Sequence, residues 1–314
     1  MRTALNKEVP GQTLDRTLLL ATWNLREFGG TKFGGRDKEA LYYIAQVLSH
    51  FDLIAVQEVR DNLDELEELM GILGHWWSFL VTDETAGRAG NCERMAFVFD
   101  RRKVKFGGLA GEQEGPTSKD GNLLRISDAF ARAPFMAGFQ AGWFKFSLCT
   151  GHLYYGDSKP DDPERLEETR TLVSLLKKRT RNKDQWARNI IVLGDFNLFS
   201  TKDKMMKEIH KVFETPPAVE GAFSNALRTK PFDQIGVLSP EMHNRITQSR
   251  GGVFDVFEHV YRDEDEATYK PLFGDHDYRM WRTFKASDHL PLWVELEVDF
   301  ADEYLQCKAK EHKQ

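Results

Sequence analysis

Short apolar runs recur along the chain, and each meets a polar residue able to do chemistry. Residues 18–23 are followed by Asn24, and residues 53–57 by Glu58. Residues 190–193 run into Gly194-Asp195-Phe196-Asn197, and the run ending near Thr150 leads to His152. Asp288 and His289 come just before residues 293–298. Runs this short, bounded by turn residues, read as strands buried in a sheet. Further strands are expected at residues 95–99, 135–139, 143–150 and 234–238. Between them, Leu41, Ile44, Ala45 and Leu48 repeat at i, i+3, i+4 and i+7, one face of a helix. A second helix after Asn62 turns Leu66, Leu69, Met70 and Leu73 inward. A third starts at Asp162-Pro163, an N-cap with a first-turn proline, and buries Leu166, Val173 and Leu176. About ten strands with a few helices predict an α/β (α+β) fold of two packed mixed sheets flanked by helices.

The chain has 314 residues, 41% hydrophobic and 29% charged, which excludes a disordered polymer. No apolar run approaches the roughly 20 residues of a membrane-spanning helix. The first residues lack the apolar stretch of a secretory signal. Three cysteines, Cys92, Cys149 and Cys307, are too few and too scattered for a disulfide framework. The expectation is a cytoplasmic protein; a secreted chain with its signal already removed reads the same. Net charge is −6, so any nucleic-acid contact must come from a local basic rim. The ends, 1–16 and 301–314, are polar and expected to fray. Residues 239–286 read as loop-rich, with the acidic run Asp263-Glu264-Asp265-Glu266 as a solvated face.

Strand ends place side chains on a rim, where loops build sites on a rigid scaffold. Singly, an Asn after a strand is a turn former, and a lone His a satisfied core or rim residue. Together, three acids, an Asn pair and two histidines at the mouths of strands suit one chemistry. A hard cation such as Mg²⁺ takes carboxylate and amide oxygens plus water, which Glu58 with Asn24 or Asp288 can supply. Zinc patterns and a phosphate-binding Gly-Lys-Ser/Thr loop are absent. Metal-assisted attack of water on an ester remains, with a carboxylate taking the proton and histidines serving the leaving group.

Eight segments in order resemble the endonuclease/exonuclease/phosphatase superfamily, and within it the deoxyribonuclease I-type endonucleases. They are Trp23-Asn24-Leu25-Arg26 with Phe28-Gly29, Val56-Gln57-Glu58-Val59-Arg60-Asp61, Cys92-Glu93-Arg94, Arg132-Ala133-Pro134, Gly151-His152, Gly194-Asp195-Phe196-Asn197, Phe232-Asp233-Gln234-Ile235 and Ser287-Asp288-His289-Leu290-Pro291. The resemblance covers residues 18 to 298. It implies a four-layer αββα sandwich with one site at the end of two sheets. It therefore favours a single domain over residues 17–300. It implies Glu58 as metal ligand, with Asn24 and Asp288 contributing, and Mg²⁺, Mn²⁺ or Ca²⁺ as the ion. It implies catalytic roles for His152 polarised by Glu93, for His289 polarised by Asp233, and for Asp195 and Asn197. Arg26, Arg60 and Arg132 match positions that contact the nucleic-acid backbone or groove, and DNA is the implied substrate. Given the net charge of −6, binding is expected to rest on a small rim of Arg26, Arg60, Arg94 and Arg132, helped by Lys32 and Arg36.

Two departures stand out. Asn91 replaces the aromatic residue that packs in the minor groove in secreted relatives, and the disulfide near their site has no counterpart. Tyr261, Tyr269, Tyr278 and Trp281 offer either base stacking or core packing. Two other functions stay open. A phosphodiesterase or phosphatase of another branch, acting on phospholipid or inositol phosphate, suits the acidic charge. A non-catalytic binding module on the same fold would be expected to have lost catalytic residues.

Overall fold

The apolar runs are continuous because both faces of their strands are covered. In the computed structural model, Leu18 and Leu20 point into one core while Leu19, Ala21 and Trp23 point into another. Leu53 and Ala55 separate from Ile54 and Val56 in the same way, the period of two expected of a strand. The structure describes residues 1–84, 93–113, 129–180, 186–239, 243–246, 248–302 and 304–305.

The strands are Thr17–Phe28 (β1), Leu53–Val59 (β2), Trp77–Val81 (β3), Arg94–Asp100 (β4), Val104–Glu112 (β5) and Phe135–Ala141 (β6). Phe144–His152 (β7), Asn189–Asp195 (β8), Asp233–Leu238 (β9), Arg250–Val253 (β10) and Leu292–Glu297 (β11) complete the set. One sheet runs in the order β10-β11-β1-β2-β4-β3 and the other β5-β6-β7-β8-β9. Each is mixed: β1 pairs parallel with β2, and β7 parallel with β8, while the other pairs are antiparallel.

Helices close both outer faces. Arg2–Glu8 (α1), Lys38–Leu48 (α2) and Asp64–Leu73 (α3) lie over the six-stranded sheet. Pro163–Arg179 (α4) and Lys204–His210 (α5) cover the five-stranded one. The short helix His243–Ile246 (α6) precedes β10. Glu266–Phe273 (α7) and Tyr278–Lys285 (α8) add to the first helical layer. The result is the four-layer α/β sandwich, with a phenylalanine-rich core between the sheets. Asp162 caps α4 by accepting from the Arg165 amide at 3.0 Å, as the Asp-Pro pair predicts.

Two differences from the sequence reading have physical causes, and one open choice is resolved. The N-terminal residues do not fray throughout, because Leu5 of α1 and Val9 just after it are buried against the helical layer. Residues 239–286 hold α6, α7, α8 and the edge strand β10 rather than loops alone. Tyr261, Tyr278 and Trp281 are buried and pack with Tyr269, so this cluster is core and not a stacking wall. The acidic run is exposed at Asp263 and Glu264, but Asp263 pairs with Arg279 at 2.9 Å and Arg282 at 2.8 Å. Cys149 is free and buried; Cys92, Cys307 and Asn91 lie outside the described residues.

Gly194, just before Asp195, has a φ of 135°, and a Cβ there would run into the Gly151 carbonyl of the neighbouring strand. Gly194→Ala is expected to cost more than about 2 kcal/mol, measured by urea unfolding, because neither the backbone angle nor the strand spacing can accommodate it.

Candidate active site

Two bulges on neighbouring strands aim the first acid. The β1–β2 register shifts between Asn24 and Phe28, and the β2–β4 register between Val56 and Val59. Arg26, Glu27 and Glu58 take left-handed backbone, with φ of 39°, 48° and 61°. Non-glycine residues in that region are strained, and bulges beside active sites re-aim side chains. Here they turn the Glu58 carboxylate across the end of the sheet. It accepts from the Asn24 amide at 2.8 Å and from the Glu27 backbone N–H at 2.9 Å.

The second sheet supplies a row. His152 on β7 pairs in register with Asp195 on β8, and Asp195 with Asp233 on β9. His289, from the loop before β11, closes the ring. His152 Nδ1 lies 3.1 Å from Glu93, and His289 Nδ1 lies 2.8 Å from Asp233. Both Nε2 atoms face the same Asp195 oxygen at 3.5 Å, and that oxygen also accepts from Asn24 at 3.0 Å. His152 Nε2 is 4.0 Å from Glu58. Each histidine thus presents one nitrogen to the centre while a buried acid holds the other, which fixes tautomer and ring orientation.

The electrostatics follow from burial and pairing. Burial pushes the Glu93 carboxyl up, but His152 and Arg132 outweigh it and hold its pKa at about 2. Burial pushes His289 down, yet the Asp233 and Asp195 carboxylates raise it well above the ordinary histidine value. The neighbouring carboxylates therefore favour the charged form of His289. A bound cation opposes that charge.

Several residues that the motifs did not single out hold this geometry. The Arg36 side chain is buried and donates to the carbonyls of Leu25, Arg26 (2.9 Å) and Ala286 (3.2 Å). It thereby clamps the β1 bulge to the loop that carries His289. Glu65 accepts from the backbone N–H groups of Gly29 (2.9 Å) and Arg36 (2.8 Å) and faces the Arg36 guanidinium at 3.4 Å. The Trp23 indole donates to the His289 carbonyl at 2.9 Å, and the Ser224 hydroxyl to Asp233 at 2.6 Å. Glu168 on α4 accepts from the amides of Ala131 and Tyr154, both at 2.6 Å, and so braces the segments beside Arg132 and His152. In sequence, Arg36 looks like any loop arginine after two glycines and Glu168 like any helix acid; only the fold shows them buried.

Some expected ligands are placed differently. Asn24 turns its amide nitrogen to both carboxylates, and its oxygen accepts from the Arg26 N–H at 2.9 Å. The Asp288 carboxylate faces Arg26 at 3.5 Å. Asn197 donates to the Leu153 carbonyl at 2.8 Å, bracing the turn after His152. The rim arginines all meet acids: Arg60 meets Glu27 at 3.6 Å, Arg94 meets Glu84 at 2.9 Å, and Arg132 meets Glu93 at 2.5 Å. Arg36 is no phosphate contact, because its guanidinium is consumed inside. Lys32 is exposed, with its ammonium 4.4 Å from the Phe284 ring.

The donor set fits a hard cation. Ligand atoms of Glu58, His152 and Asp195 lie within 4.8 Å of one another. The Glu58 and Asp195 carboxylates converge there and share the Asn24 amide. Glu58 and Asp195 supply the oxygens such an ion prefers.

Comparison with known proteins agrees with this geometry. No protein-family profile matches the sequence. The chain is similar to deoxyribonuclease-1 of Equus caballus, 28% identical over 189 residues, covering 58% of this chain and 61% of that protein. It is 30% identical to the Canis lupus familiaris protein over 129 residues, 40% of this chain and 42% of that protein. The match thus spans less than two thirds of these relatives' length. Among solved structures, an endonuclease/exonuclease/phosphatase family protein from Bacteroides thetaiotaomicron aligns with a TM-score of 0.60 at 18% identity. That alignment covers 90% of this chain and 98% of that one. The human Nocturnin catalytic domain with bound sulfate aligns at 0.58 and 14% identity, covering 90% and 94%. Truncated Caenorhabditis elegans TDP2 aligns at 0.56 and 12% identity, covering 90% and 98%. The chain thus shares its fold with an endonuclease/exonuclease/phosphatase family protein and resembles deoxyribonuclease-1 over part of its length.

Removing the Arg36 guanidinium would strand the Glu65 carboxylate and buried carbonyls. Arg36→Met is expected to cost about 3–5 kcal/mol, the usual range for breaking a buried pair, measured by chemical unfolding. Glu168 gives a pH test. Burial raises its pKa from 4.5 to about 7, despite the two amides it accepts. The native state therefore holds this proton more tightly, and stability falls as pH rises from about 4.5 to about 7. Glu168→Gln should flatten that slope, read from urea midpoints across the window; an unchanged slope would assign the dependence elsewhere.

Proposed function

We propose that the protein is a divalent-metal-dependent phosphodiesterase that cuts nucleic acid, DNA in the first instance, by in-line attack of water. The observation that carries this is the shared oxygen of Asp195, faced at 3.5 Å by both His152 and His289, each backed by its own acid. Two imidazoles around one carboxylate suit a pentavalent phosphate, whose charge must be met on more than one side. Asp195 takes the proton of the attacking water. His289, kept protonated by Asp233, donates to a phosphoryl oxygen. His152, oriented by Glu93, carries the proton that passes to the leaving oxygen as its bond to phosphorus breaks. Glu58 would hold a divalent cation, which when bound would supply charge neutralisation at the phosphate. Asn24 and Asn197 position these groups rather than react. Because the chemistry draws on residues 24 to 289, we read residues 17–300 as one working domain.

Support for a nucleic-acid substrate comes from the similarity to deoxyribonuclease-1. The rim arginines already face acids among the described residues, which favours a second reading, a phosphodiesterase for a less charged ester such as a phospholipid. Supercoiled plasmid, linear duplex, single strand, RNA and phospholipid vesicles, each with and without Mg²⁺, separate the two. Turnover of the lipid alone would select the second.

Cleavage should vanish in excess chelator and return with Mg²⁺, and Glu58→Gln should weaken metal binding and turnover together. His152→Ala and His289→Ala should each lower kcat by about 10²-fold or more while the fold survives, since each side chain lies at the mouth of the sheets. Near-normal turnover by either variant would refute the two-histidine scheme.

A further inference from the structure

A ridge of aromatic rings leads from the catalytic histidine to the surface. Phe232 stacks on His289, with ring centroids 5.4 Å apart and an interplanar angle of 29°. Phe199 meets Phe232 edge-on at 5.1 Å. Tyr155 meets Phe199 at 5.3 Å and Phe232 at 6.5 Å. Phe199 is buried, whereas Tyr155 stands 47% exposed.

The backbone beneath that exposed ring is pinned. Arg165 is fully buried on α4 and donates to the carbonyls of Tyr155 and, at 2.5 Å, Lys159. Its guanidinium lies 4.8 Å from the centre of the Phe199 ring. Glu168, one turn along α4, accepts from the Tyr154 amide at 2.6 Å. Two buried charged side chains thus hold a turn whose main outward product is a tyrosine ring. An aromatic side chain with two torsions on a fixed backbone loses little entropy when it stacks on a ligand. Lys230, with its ammonium 5.4 Å from the Phe199 ring, makes no ion pair among the described residues, in contrast to the rim arginines.

We propose that Tyr155, backed by Phe199 and Phe232 and flanked by Lys230, is a stacking subsite for a nucleobase next to the bond that is cut. This rests on the nuclease reading and narrows it. A base must leave its neighbours to lie on the tyrosine, so the subsite favours single strands and frayed ends over closed duplex. The preference is tolerant of sequence, because every base has a flat face. Lys230 takes the phosphate of the same nucleotide.

The test uses the full chain with Mg²⁺ and single-stranded DNA and RNA oligonucleotides, each matched by versions with one abasic position moved along the strand. Tyr155→Ala should raise KM by about 10-fold or more on the base-containing strands, with the loss in KM rather than kcat. Tyr155→Phe should restore the low KM. One abasic position should raise the wild-type KM to the Tyr155→Ala value and erase the difference between the two proteins. Lys230→Ala should flatten the salt dependence of log KM by about 0.7 on single strands. A Tyr155→Ala loss that is equal with and without the base, or that falls on kcat, overturns the subsite. Wild-type protein that cuts no oligonucleotide overturns the nuclease reading as well, and is seen before any variant is made.

Discussion

The Asn24 side chain ties the two sheets together at the point where the chemistry is proposed. From β1 it donates to Glu58 in its own sheet and to Asp195 in the other, while its oxygen takes the Arg26 amide inside the bulge. Gln57, its neighbour in register, makes the next crossing by donating to Thr150 on β7 at 2.9 Å. Sheets in a sandwich otherwise meet through apolar side chains, which fix spacing but tolerate sliding. Two polar bridges at one end set the register between the sheets there. A buried amide that loses either partner leaves an unpaired polar group, and that asymmetric cost makes the alignment specific.

The two sheets contribute unlike parts. The six-stranded sheet provides strain, through bulges at Arg26, Glu27 and Glu58. The five-stranded sheet provides a regular row, His152, Asp195 and Asp233, in undistorted register. Strain at Glu58 is sustained by the Arg36 clamp, which satisfies the bulged carbonyls that a regular ladder would have used. A bulge frees carbonyls and a buried arginine needs acceptors, so each resolves the other's deficit.

What was legible in the sequence depended on how a residue announces its environment. β1, β2 and β8 are buried on both faces and so appear as unbroken apolar runs. The candidate site residues were legible because strand ends fall where those runs stop. β5 escaped notice because its exposed, glycine-rich stretch Gly107-Gly108-Leu109-Ala110-Gly111 has no apolar alternation. In the fold, Gly107 leaves room for the Trp186 ring that covers it. β10 begins Arg250-Gly251-Gly252 and is a short edge, where only one neighbour pays for pairing. α1 buries only Leu5, too little for a periodic signal. Arg36, Glu65 and Glu168 were invisible for a different reason. A charged residue tells nothing of its burial until its partners are known, and those are backbone groups far along the chain.

The arginines show how pairing decides which charges a substrate can reach. Arg60 and Glu27 lie 3.6 Å apart with side chains 21% and 34% exposed. A pair that wet is worth about 0–1 kcal/mol, so a phosphate can take the guanidinium and release the acid to water. Arg26 is similar, since its partner Asp288 is 41% exposed. Arg132 and Glu93 differ. Their side chains are 8% and 4% exposed, and Glu93 also holds His152. Drawing Arg132 outward would leave a buried carboxylate beside one imidazole, at a cost of several kcal/mol. The residues that resemble a basic rim therefore split. Arg26 and Arg60 remain exchangeable toward substrate, while Arg132 acts inward by keeping Glu93 ionised and, through it, the ring of His152 in place.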